Sequence, residues 1–114
     1  MAIYKRNNSD RKGKVTYNAG IIKGIVVLAV SEISGVALKK GKKDKLNLLK
    51  IDFQDEETIN IDVTVDVVYG YNVPDIAFEI QQSIKHNIES MSKYKVDSVD
   101  VHFSGVIFNE NSID

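Results

Sequence analysis

The stretch IDVTVDVVYGYNVPDIAFEIQQSIK, residues 61–85, changes its hydrophobic period halfway along. On its N-terminal side Ile59, Ile61, Val63, Val65, Val67 and Tyr69 share one parity, while Asn60, Asp62, Thr64 and Asp66 share the other. Alternation of β-branched and polar residues with period two predicts a strand with one buried and one wet face. Beyond the Tyr-Gly-Tyr-Asn-Val-Pro corner, Val73, Ala77, Ile80, Ile84, Ile88 and Met91 recur every three or four positions, the period of a helix. Asp75 and Glu79 near its start and Lys93 near its end suit the helix dipole. A long strand feeding a long amphipathic helix indicates a domain in which helices cover one face of a sheet.

The corner itself reads as structure. Gly70 relaxes the backbone at the strand's end, Asn72 can cap the following helix, Pro74 loses no intrahelical bond in the first turn, and Asp75 is the acidic member of a capping box. An anion at that helix start would compete with Asp75 for the same amides.

Working back from the strand, VALKK and LNLLKIDF read as two strands joined by GKKDK as a hairpin connection. Before them, Ile22, Ile25, Val26, Ala29, Val30 and Ile33 recur at helical spacing over residues 19–34, with Asn18 as N-cap and Gly35 at the C′ position. Val27 and Leu28 extend the apolar surface of that helix beyond what one sheet needs, which marks them for self-association. KVTY, residues 14–17, reads as a short strand.

Working forward, VDSVDVHFSGVIF alternates through Val99, Val101 and Phe103, then shifts parity to Val106 and Phe108, so a bulge or bend is expected at Ser104 and Gly105. The resulting order is β-α-β-β-β-α-β. This is an α+β, two-layer domain with a mainly antiparallel or mixed sheet of four to five strands and two helices on one face. From the sequence, residues 1–12 are expected to be a flexible basic arm, residues 13–109 the domain and residues 110–114 a short tail.

At 114 residues the chain can bury one core without staples. It has no cysteine, which removes disulfides, thiolate metal sites and a thiol nucleophile. The N-terminal residues lack the apolar segment of a secretory signal, and the apolar run IVVLAV is far shorter than a membrane span, so a cytoplasmic location is expected. Net charge is −1, but residues 1–45 carry +8 and the remainder −9. Such halves can meet within one fold, draw copies together or offer a basic face to an anionic partner.

Candidates for chemistry are few. Asp62, Asp66, Asp100 and His102 fall on the polar parity of two long strands, and a metal-dependent enzyme built on Asp62, Asp66 and His102 is one alternative reading. Alternating acids are also the ordinary solvated face of a half-buried sheet. His86 falls on the polar side of the second helix. The serines lack a G-x-S-x-G setting, and no glycine-rich phosphate loop occurs. Lys39, Lys40, Lys42, Lys43 and Lys45 form a basic run suited to an anionic membrane surface. RNA phosphates are the rival ligand and give a second alternative, an RNA-binding module, but no aromatic residue is interleaved to stack bases, so nucleic acid is not the expected partner.

Four segments, GKVTYNAGII, AVSEISGV, VDVVYGYNVPDIAFEIQQSIKHNIESM and VDSVDVHFSGVIF, together resemble the alkaline shock protein family of Gram-positive general-stress and cell-envelope proteins. The resemblance spans residues 13–108. The family often carries Thr-Gly after the helix methionine, whereas Met91 is followed here by Ser92 and Lys93. The resemblance implies no catalytic residues and no cofactor. It implies a non-enzymatic stress-response or envelope scaffold, a homo-oligomer recruited to the inner face of the membrane by a separate anchor protein.

Overall fold

The computed structural model describes residues 18–38 and 49–108, in the order α1 (Ala19–Ser31), β1 (Val36–Leu38), β2 (Leu49–Phe53), β3 (Thr58–Val68), α2 (Val73–Met91) and β4 (Lys95–Ile107). The expected α+β order holds through these elements. The arm, the strand expected at residues 14–17 and the lysine run lie outside the described residues.

β3 is the spine of the sheet, because its odd residues Ile59, Ile61, Val63, Val65 and Val67 are all buried against the helices. Burying each such side chain contributes roughly 1.5–3 kcal/mol. β4 lies parallel to β3 along its whole length, and β1 and β2 lie antiparallel on its other edge, so the sheet is mixed. The parallel pairing follows from the crossover through α2.

β1 and β2 are not a hairpin with each other. Leu38 stands opposite Val65 and Leu49 opposite Val63, so the two strands run in the same direction, end to end along one edge of β3. A hairpin requires opposite directions.

α1 buries Ile22, Ile25, Val26, Ala29 and Val30, and Ile33 is only partly buried. Asn18 caps it, its side-chain oxygen accepting from the Ile21 amide at 2.9 Å. The helix ends earlier than its periodicity suggests, at Ser31 with Glu32 as C-cap, so Gly35 is not the C′ glycine. Gly35 has φ +87° for another reason. Its carbonyl accepts from Val68 N at 2.8 Å, and an added Cβ would sit 2.5 Å from the Tyr71 ring.

α2 buries Ile76, Ile80, Ile84 and Ile88, a strict spacing of four. Val73 and Met91, expected on that face, are the first and last residues of the helix and are 38% and 51% exposed. Asn72 caps α2, its side chain accepting from Asp75 N at 3.1 Å, with Pro74 in the first turn and Gly70 at φ +102°. Ser92 ends the helix in extended backbone, with its amide donating to Ile88 O at 3.0 Å and its hydroxyl to the same oxygen at 2.8 Å. A glycine is not required where φ is −145°.

The bulge expected near Gly105 falls at Ser104: Val65 pairs with Phe103 and Asp66 with Gly105. A second irregularity at Asp97, between the Ile59–Val96 and Asn60–Ser98 pairs, left no trace in the parity pattern.

Candidate functional site

The polar parity of β3 and β4 forms the sheet face away from the helices. Three side-chain bonds cross it: Ser98 to Asn60 at 3.0 Å, His102 Nε2 with Asp62 Oδ1 at 2.5 Å, and Ser104 to Asp66 at 3.1 Å. His102 stands in register with Thr64 and reaches back toward Asp62, whose register partner is Asp100. Both members of the pair are well exposed, at 59% and 45%, so the contact is worth at most about 1 kcal/mol.

This geometry does not assemble the ligand set considered for a metal. Asp62 and His102 meet, but Asp66 lies four residues further along the strand, about 13 Å away at the rise of a β-strand. Among the described residues no group of three His, Cys, Asp or Glu side chains could hold an ion. A depression touched by Lys50, Asp52, Asn60, Asp62, Ser98 and Asp100 is open to solvent and does not enclose these side chains. His86 is exposed on α2.

The carboxylates most strongly engaged are architectural. Asp55 is held below its ordinary pKa by the amides of Glu57 and Thr58, which donate to it at 2.7 and 2.8 Å and close the β2–β3 turn. Glu89 is held low first by the Val96 amide, at 2.9 Å, and then by Lys85, at 3.1 Å. Lys85 also donates to Val96 O at 3.2 Å and Gln81 to Val99 O at 3.1 Å. Gln81, Lys85 and Glu89 therefore form a polar stripe on α2 that satisfies the outer backbone groups of β4 at Val96 and Val99. Sequence reasoning missed this stripe, whose members look like ordinary solvated helix residues.

What the surface offers instead is apolar area. Val27 and Leu28, singled out for self-association, are 37% and 46% exposed on α1, and Ile21 beside them is 47% exposed. Gly24 on the same stripe has no atom within 4 Å of where a Cβ would stand, so the helix backbone is open there. At the other edge of the domain Tyr69 and Phe108 stack at 5.2 Å, both largely exposed. No helix among the described residues is long and apolar enough to cross a membrane.

Two helices on one face of a mixed four-stranded sheet, with an open polar face opposite, define a small two-layer α+β domain. Residues 7–108 match the model of the alkaline shock protein 23 family, described as having a cell envelope-related function, and the chain belongs to that family. It is 29% identical over 120 residues to the uncharacterized protein YqhY of Bacillus subtilis, covering 95% of this chain and 88% of that relative. It is 32% identical over 83 residues to the uncharacterized protein YloU of the same species, covering 65% and 69%. A Streptococcus pyogenes relative, the uncharacterized protein Spy1535, is 22% identical over 103 residues, covering 83% and 80%. No solved structure matches the chain.

Proposed function

We propose that the chain is a non-enzymatic scaffold or adaptor of the cell envelope that self-associates through the outer face of α1 and works by protein–protein contacts beside the membrane. One observation carries this reading. The solvent face of α1 presents Ile21, Val27 and Leu28 around an open Gly24, with Lys23 as the helix's sole ionisable side chain. A surface helix normally turns charged residues outward, so an uncharged outer stripe suits burial against another surface. The cell envelope-related family gives the setting. The lysines at residues 39–45 supply positive charge for an anionic surface or an acidic anchor partner.

The test is fractionation of cells expressing the full chain and a Val27→Glu/Leu28→Glu variant. The wild type is expected with the envelope and the variant in the soluble fraction, with the thermal midpoint of the purified variant unchanged. A variant that stays with the envelope overturns the role of α1.

A further inference from the structure

We infer that the upper half of the β4 edge, Val101 to Ile107, is a strand-pairing interface between two copies of this chain. The inference rests on the self-association reading above and adds a second surface to it.

β4 is an edge strand: it pairs with β3, and among the described residues nothing pairs with its other side. In a parallel pair the amide and carbonyl of a residue point to the same edge and alternate along the strand. Val99 O is taken by Gln81, so the backbone of Val99, Val101 and Phe103 faces outward. Ile107 O accepts from Tyr69 N at 2.8 Å and so faces inward, which turns Val106 outward beyond the Ser104 bulge.

Long open edges template pairing with other chains, and folds blunt them with charges, bulges or a covering helix. The lower half of β4 has all three. Lys95, Asp97 and Asp100 are charged, Asp97 is an irregularity, and Gln81, Lys85 and Glu89 of α2 bond the outer groups of Val96 and Val99. The protection stops at Val99. One turn before Gln81, the same stripe of α2 carries Phe78, 61% exposed and unable to bond a backbone group. From residue 101 to 108 His102 is the one ionisable side chain. Tyr69, Val106 and Phe108 flank this stretch at 68%, 52% and 60% exposure.

The occupant that fits is the same edge of a second copy, antiparallel across a two-fold axis. Such an edge is complementary to itself, and the stretch carries too little charge for two copies to repel. Together Tyr69, Phe78, Val106, Ile107 and Phe108 expose roughly 600 Å² per copy, taking 150–250 Å² for a whole aromatic side chain. Burying that on both copies gives about 1,200 Å², the lower bound of specific interfaces and the size of a reversible dimer.

The experiment compares full-length wild type, Phe78→Ser/Phe108→Ser, Val106→Lys and Leu28→Glu by sedimentation velocity over a concentration series. Circular dichroism confirms the fold. Phe78 and Phe108 are exposed, so the serine variant keeps the core even if Val106→Lys does not fold. The inference predicts a dimerisation constant weakened about tenfold or more by the serine variant. It also predicts that wild-type amides of residues 101–107 exchange more slowly as concentration rises. Association unaltered in the serine variant but lost in Leu28→Glu overturns the β4 interface and keeps self-association through α1. A wild type that is monomeric throughout overturns both. Association of wild type only after adding an extended apolar peptide also overturns the two-copy arrangement.

Discussion

Adding one methyl group at two glycines should move stability in opposite directions. Gly24 is helical, and a Cβ there meets nothing within 4 Å, so Gly24→Ala raises helix propensity without a clash. The expected gain is about 0.5–1 kcal/mol, with the measurement made dilute enough that association through α1 does not contribute. Gly35 has φ +87°, where an L residue costs about 1–2 kcal/mol, and its new Cβ would lie 2.5–2.7 Å from three Tyr71 ring atoms. The ring is 46% exposed and can swing aside, which limits the clash, while reduced freedom of the unfolded chain returns about 0.4–1 kcal/mol. The net loss is about 1–2 kcal/mol. The two variants should therefore differ by about 1.5–3 kcal/mol in urea denaturation followed by far-UV circular dichroism, or about 10 °C in thermal midpoint. Placing Gly35→Ala in a Tyr71→Ser background should recover the steric part and leave the backbone part. A Gly35→Ala chain as stable as wild type, or fully rescued by Tyr71→Ser, would refute the claim that the left-handed backbone makes glycine necessary.

Three other outcomes follow from the described contacts. Glu89 has a folded pKa depressed below its ordinary value near 4.5, so its stabilisation is complete above that value and is lost as pH falls through the folded pKa. Glu89→Gln should thus be less stable than wild type at pH 7, with the gap narrowing on titration toward pH 3; a constant gap contradicts the linkage. His102→Gln should change urea stability by less than about 1 kcal/mol, because the Asp62 pair is exposed; a loss of several kcal/mol would show that the pair is structural. Ile84→Ala, at a fully buried position of α2, should cost about 2–5 kcal/mol in the same assay, and a loss below 1 kcal/mol would place the core elsewhere.

The features legible in the sequence are those set by local periodicity. The parity of Ile59 through Val67, the caps Asn18 and Asn72, and the bulge beside Gly105 all follow from residue spacing and side-chain chemistry. Features that depend on distant partners were not legible. VALKK and LNLLKIDF carry strand signals, but that they lie end to end on β3 is fixed by their pairing with Val65 and Val63. Gly35 was rightly a position for glycine, yet the requirement comes from a turn packed on Tyr71 and not from the helix terminus. The polar stripe of Gln81, Lys85 and Glu89 depends on where α2 lies over β4, which no helical pattern encodes. On the sheet face the alternation placed Asp62 and His102 on the same side, but only the register shows them as a pair separate from Asp66.

The central claim, that this domain acts through its surfaces by binding copies of itself, is tested most directly by sedimentation velocity of the full-length chain from low to high micromolar concentration. A sedimentation coefficient that rises with concentration, and does so less in Val27→Glu/Leu28→Glu, is the predicted result. A concentration-independent monomer across that range contradicts it.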